Sequence, residues 1–186
     1  MQKSFENLLL NHPLLKKVLQ RWEQIGLPDA WLVAGSVAQT VWNDRHGFDL
    51  EFGLKDIDLI YFERDDLSEK REKERLGVIE DLFADLQVEF DVKNQARVHL
   101  WYEEKFGYAI PPYLSPKQAI ERFPTTATSI GVRLLGDGLE VHAPFGLEDL
   151  WALKVGPNKA LVSEAVYMQK IKRWQGLWPQ LECHAW

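Results

Sequence analysis

The segment Asp56-Ile57-Asp58-Leu59-Ile60-Tyr61-Phe62 restricts what this chain can become more than any other. Side chains alternate across a β-strand, so Asp56 and Asp58 leave one face while Ile57, Leu59 and Tyr61 leave the other. At about 6.6 Å between alternate positions, two ionised carboxylates repel by roughly 2.5 kcal/mol in a medium of intermediate dielectric. A fold keeps such a pair where water solvates it, or where a divalent cation sits between the two. Hard cations such as Mg²⁺ take oxygen ligands, typically one or two carboxylates plus the phosphates of a substrate. The segment therefore predicts a strand with an apolar face toward a core and an acidic face toward a ligand.

A later segment offers a third acid. In Val88-Glu89-Phe90-Asp91-Val92, Glu89 and Asp91 share one strand face and Val88, Phe90 and Val92 the other. Laid beside the first strand with apolar faces aligned, it adds one carboxylate to the pair, and Asp91 is the preferred one. Three carboxylates from two strands make a two-metal site, able to activate an attacking hydroxyl and stabilise a leaving pyrophosphate. Upstream, the apolar run Ala30-Trp31-Leu32-Val33-Ala34 reads as a buried strand, followed by Gly35-Ser36 and a helical pattern over 37–42. Ser36 is predicted to cap that helix. Glycine lets the backbone approach a ligand, and a helix start points free N–H groups at an anion. Acids facing such a helix start supply the positioning and charge neutralisation that phosphoryl transfer needs.

The remaining chain frames these segments. Leu14, Leu15, Val18, Leu19, Trp22 and Ile25 recur at helical steps, with Pro13 in the first turn and Gly26-Leu27-Pro28 as the stop. Residues 65–86 are highly charged, and Ile79, Leu82, Phe83 and Leu86 mark the buried face of a helix in the second half. A further strand is predicted over 97–101. Pro111, Pro112 and Pro116 then interrupt the chain, and a short helix opens at Pro116. Strands over 130–135 and 139–143 flank Gly136-Asp137-Gly138, whose Asp-Gly pair signals a hairpin. Helices are predicted over 146–154 and 163–174. The sum is an α+β single domain, 1–186: a small mixed β-sheet with flanking helices over 27–101, and a C-terminal hairpin-and-helix lobe over 102–186 packed on it.

Composition narrows the function classes. With 22 basic and 28 acidic residues the net charge is −6, which argues against a groove for duplex nucleic acid. No apolar run reaches the roughly 18 residues of a membrane span. No secretory apolar segment precedes Asn11-His12-Pro13, and the single Cys183 permits no internal disulfide, so a reducing, cytoplasmic setting is expected. The eight tryptophans read as core.

Taken in order, Val33-Ala34-Gly35-Ser36, Lys55-Asp56-Ile57-Asp58-Leu59-Ile60 and Phe90-Asp91-Val92 resemble the DNA polymerase β-like nucleotidyltransferase superfamily. The wider pattern is similar to a branch of small bacterial nucleotidyltransferase-like proteins. It includes Val92-Lys93-Asn94-Gln95-Ala96-Arg97-Val98-His99-Leu100-Trp101, Thr125-Thr126-Ala127-Thr128-Ser129 and Trp178-Pro179-Gln180-Leu181. The resemblance implies that Asp56, Asp58 and Asp91 are catalytic and bind two Mg²⁺ ions. It implies that Gly35 and Ser36 contact the triphosphate of an NTP such as ATP, and that Asp91 accepts the proton of an attacking hydroxyl. Two features depart from the superfamily: 19 residues (37 to 55) separate Ser36 from Asp56, and Lys55 replaces an apolar flank.

Other candidates for the nucleotide are Asn94 and Arg97, close after the third acid. Arg97 and His99 would share a strand face, either one meeting a phosphate or a base. Thr128, with Thr125 and Thr126, would bind ribose or phosphate or cap a turn. Lys154 and Lys170 could reach a triphosphate, although exposed helical lysines are usually just solvated. The expected activity is Mg²⁺-dependent transfer of a nucleoside monophosphate from an NTP to an unidentified hydroxyl acceptor. The alternative is a catalytically silent nucleotide-binding or regulatory module, including a toxin–antitoxin-like role.

Overall fold

The computed structural model describes residues 1–136 and 138–186. Its first half runs α1 (Gln2–Asn11), α2 (Pro13–Gln20), β1 (Trp31–Val33), α3 (Ala34–His46), β2 (Asp56–Tyr61), α4 (Glu69–Leu82), β3 (Glu89–Asn94) and α5 (His99–Phe106). The second half runs α6 (Pro116–Ile120), β4 (Gly131–Leu135), β5 (Gly138–His142), α7 (Glu148–Trp151), β6 (Lys154–Val155), α8 (Glu164–Leu177) and β7 (Glu182–Cys183). Five strands form one mixed sheet in the order β3-β2-β1-β4-β5, and β6 and β7 form a separate pair. β2 and β3 are parallel, joined across α4; β1 is antiparallel to both β2 and β4. The β4–β5 hairpin therefore extends the same sheet that carries the acids. Its Asp-Gly turn signal falls on Asp137, which lies outside the described residues.

The alternation in β2 decides which way the sheet faces. Ile57, Leu59 and Tyr61 are fully buried in the main core, where Phe90 and Val92 of β3 join them over Ile79 of α4 and Phe83 just past its end. The Phe83 and Phe90 rings stack with centroids 5.0 Å apart. Ile60 faces the other way, into a smaller cluster with Trp31, Val33 and Ile120. Asp56 and Asp58 share that second face by strand period.

Several local expectations change. Pro13 does open α2, where the buried His12 ring nitrogen accepts the N–H groups of Leu14 and Leu15. The helix expected over 14–25 breaks at Arg21, and Trp22–Ile25 tightens into a 3-10 turn before Gly26. The strand expected over 97–101 is instead a turn leading into α5. Asn94 redirects the chain there: its side-chain oxygen accepts the Ala96 N–H at 3.0 Å and the Glu63 N–H at 3.1 Å. The helix expected over 146–154 shrinks to α7, because Leu153 adopts φ 59° and Lys154–Val155 pairs with β7.

Candidate functional site

Parallel pairing of β2 with β3 sets Asp58 directly across from Asp91, while β1 sets Val33 across from Asp58 on the other side. Three chain segments thus meet at one point of the sheet. Immediately after Val33 the chain leaves β1 through Ala34, whose φ of 56° is left-handed and costs about 1 kcal/mol for a residue with a Cβ. That sharp turn brings the Gly35 N–H toward the Asp58 carboxylate. A Cβ on Gly35 would sit 2.9 Å from Gln39 Nε2 and 3.7 Å from Asp58 Oδ2. Glycine here keeps the backbone open to the acids.

A cavity of about 370 Å³ lies over this point, lined by Gly35, Gln39, Asp56, Asp58, Asp91 and Thr128 together with four cationic side chains, Lys55, Lys93, Lys170 and Arg173. Burial, then the charges of Asp56 and Asp91, push the Asp58 carboxyl up to about 7; Lys170 and the Gly35 N–H pull the other way. Lys170 answers in the opposite sense. Burial and the nearby Arg173 lower its pKa, against the pull of Asp58 and Asp56. Asp91 accepts an ion pair from Lys93 Nζ at 2.6 Å.

The donor set is that of a hard divalent cation: carboxylate oxygens on adjacent strands, with Asp58 half-buried between two like charges. Among the described residues, no three His, Cys, Asp or Glu side chains are already drawn together around a single point. Asp91 is held instead by Lys93, an internal cation beside the acids.

α8 reaches the cavity because its tryptophans anchor it. Trp174 and Trp178 pack edge-on against Trp42 at 5.2 and 5.3 Å, and Trp178 Nε1 donates to Asn43 Oδ1 at 2.6 Å. The same Asn43 amide donates to the carbonyls of Leu50 and Phe52. The long segment between α3 and β2 is thereby tied to α8 at the cavity rim. Gly53 belongs to that segment; its φ is 72°, and a Cβ there would lie 2.9 Å from the Trp178 ring.

The structure separates the remaining candidates. Gly35 and Thr128 line the cavity with the three aspartates, and the Thr128 hydroxyl bonds that of Thr125 at 2.8 Å. Ser36 does not cap α3: the helix starts two residues earlier, and the buried Ser36 Oγ donates back to the Val33 carbonyl at 3.3 Å. Asn94 and Arg97 are absorbed elsewhere. The Asn94 amide donates to the Glu63 carbonyl at 2.7 Å, while Arg97 donates to Glu72 at 2.8 Å and to the Leu67 carbonyl at 3.0 Å. Lys154 sits on β6, outside the cavity lining.

The sequence does not single out Gln39, Lys93, Gln95 or Arg173 as site residues, and it offers Lys170 both as able to reach a triphosphate and as an ordinary solvated lysine; Lys170 lines the cavity. The signal for three of them was periodic. Lys93 and Gln95 follow Asp91 at strand spacing, and Gln39 follows Gly35 at helical spacing. For Lys170 and Arg173 no local signal exists, since only packing brings α8 over the acids.

The family described as Nucleotidyltransferase matches residues 20–183. A solved structure described as revealing a CCA-adding enzyme head domain superposes with a TM-score of 0.82 at 25% identity, covering 99% of this chain and 96% of that one. A tRNA-processing enzyme complex matches with a TM-score of 0.44 at 16% identity, over 84% of this chain and 38% of that one, and carries no argument here. No curated protein matches the chain.

Proposed function

The chain belongs to the nucleotidyltransferase family, and we propose that it transfers a nucleoside monophosphate from an NTP to a hydroxyl acceptor with release of pyrophosphate. The observation that carries this reading is the register of Asp58 against Asp91 beside Gly35, over one cavity. Asp56, Asp58 and Asp91 would hold divalent cations, which when bound polarise the transferred phosphoryl group and make the acceptor hydroxyl more acidic.

The chain's own groups would do the rest. The Gly35 backbone, near the start of α3 and bare of a side chain, would let the phosphates approach closely. Lys170 and Arg173 would neutralise the charge that builds on the departing pyrophosphate. The Asp91 carboxylate would exchange Lys93 for a cation and take the proton of the attacking hydroxyl, leaving Lys93 free to meet a phosphate. Likeness to a protein described as a CCA-adding head domain makes an RNA 3′-hydroxyl one acceptor to assay, although the net charge of −6 argues against a large RNA footprint.

One observation favours a second reading, a module that binds nucleotide without transferring it: the Lys93–Asp91 pair already fills part of the acidic site. Pyrophosphate release from each NTP with Mg²⁺, across RNA, small-alcohol and protein acceptors, separates the two. Turnover that Asp58→Asn abolishes supports transfer. Mg²⁺-dependent binding with no turnover on any acceptor supports the module, and turnover unchanged by Asp58→Asn overturns the assigned mechanism.

A further inference from the structure

One arm of the cavity takes no part in the chemistry above. β3 sends Asp91 and Lys93 to the lining, and Gln95, the next alternate position, follows them about 13 Å along the chain from Asp91. Gln95 is only 6% exposed, and its backbone N–H is used, donating to the Tyr61 carbonyl at 2.8 Å. Among the described residues its side-chain amide makes no hydrogen bond to the protein, and its polar atoms are not sealed off but open to the cavity the residue lines. The amide thus keeps a donor and an acceptor free of the protein and turned to the cavity, where a ligand can take both.

The surroundings are apolar. Ile60, Phe123 and Pro124 line the same cavity, and Phe123 packs on the cluster of Ile60, Trp31, Val33 and Ile120. The arm toward α8 instead carries Lys55, Lys170 and Arg173. Because β2 and β3 run parallel, Lys55 lies at the Asp56 end of the cavity, while Gln95 lies at the other end, past Lys93 and on the side of Ile60. A triphosphate belongs with the cations. A flat ring with polar edges belongs with the amide.

We propose that Gln95, flanked by Ile60, Phe123 and Pro124, seats and reads the nucleobase of the incoming NTP; this rests on the nucleotidyl-transfer reading of the same cavity. A primary amide offers a donor and an acceptor side by side, which match the adjacent acceptor and donor on a base edge, as a glutamine matches adenine. Apolar and aromatic surfaces accept the faces of the ring. The roughly 13 Å of extended chain from Asp91 to Gln95, just past the end of β3, leaves room for a ribose between the reacting phosphate and the base.

The test compares each NTP with inorganic tripolyphosphate by calorimetry on the full chain with Mg²⁺, in wild type, Gln95→Met and Gln95→Glu. Wild type is expected to bind its preferred NTP at least tenfold more tightly than tripolyphosphate. Gln95→Met removes most of that advantage and flattens the ranking of the four NTPs while tripolyphosphate binds as before, which also reports an intact fold. Gln95→Glu, nearly isosteric but acceptor-only, reorders the ranking. An undiminished NTP advantage in both variants overturns the assignment. So does a wild type that binds NTP and tripolyphosphate equally, an outcome that leaves the triphosphate site standing. Absence of binding by either ligand overturns nucleotidyl transfer itself and the base seat with it.

Discussion

β3 borders two ionic clusters that follow opposite rules. On its cavity side, Asp91 pairs with Lys93 of the same strand, while Asp58, beside Asp56 and Asp91, makes no salt bridge among the described residues and shares the cavity with the cations of α8. Toward α4 and past the strand end, Glu63, Glu72, Arg71, Arg75 and Arg97 each have a close partner. Glu72 accepts from the Asn94 N–H at 2.7 Å and from Arg97 at 2.8 Å, and Glu63 accepts from Arg75 at 2.7 Å and Arg71 at 3.3 Å. The two clusters shift their acids in opposite directions. Hydrogen bonding from Arg75 holds the Glu63 carboxyl below its ordinary value, whereas burial and like charges raise Asp58 to about 7. A closed network spends its charges on holding α4 and the β3–α5 turn in place. An unbalanced one is stable only because something else is meant to complete it.

The strongest test of that contrast is Asp58→Asn. Removing a carboxylate from the unbalanced cluster is expected to cut turnover by roughly a thousandfold or more, about 4 kcal/mol of transition-state stabilisation, while thermal stability holds or rises. Pyrophosphate release and a melting curve together check it. A variant that loses stability and keeps turnover would reverse the assignment of the two clusters.

Next in size, Arg97→Met should break the closed network and leave Glu72 buried without its partner, costing about 3 kcal/mol in urea unfolding. NTP affinity of the folded fraction should stay within experimental error. Loss of nucleotide binding with no loss of stability would return Arg97 to the site and erase the contrast.

Lys170→Met tests the cationic arm. It is expected to weaken NTP binding about tenfold, or about 1.4 kcal/mol, without altering the Asp58 register. Equal affinity for triphosphate in the variant would remove α8 from the site.

The smallest effect is a pH dependence in chelator. The folded state holds the Asp58 proton more tightly than the unfolded state, whose carboxyl titrates near the ordinary 3.8. The stability this contributes is present in full below pH about 4 and is lost as pH rises toward about 7. Melting temperature should fall across that window in the metal-free protein, and Asp58→Asn or added Mg²⁺ should flatten this component of the slope. A profile that Asp58→Asn leaves unchanged would show that the acids are solvated and need no cation.

Much of the acidic half of the cavity was legible in the chain before any coordinates. Strand alternation at Asp56, Asp58 and Asp91 is local, and burying Ile57, Leu59, Phe90 and Val92 together leaves little freedom in how the two strands align. The same alternation misled at residues 97–101. Val98-His99-Leu100 carries a strand pattern, but β3 is the last strand of its sheet, and Asn94 turns the chain into a helix. Asn94 and Arg97 lie close in sequence to Asp91 yet serve the other cluster. Proximity along a chain says nothing about which face of a turn a side chain will leave.

The sequence by itself determined the α+β alternation, the acid-bearing strand face and the glycine at the mouth of α3, because periodicity and conformational freedom reside in neighbouring residues. Only the tertiary structure decided which charges stay unbalanced, since Lys170 and Arg173 reach the cavity over Asp58 through the packing of Trp42, Trp174 and Trp178 rather than through any local pattern. Electrostatic balance depends on distance through space, and that distance exists only once the chain has folded.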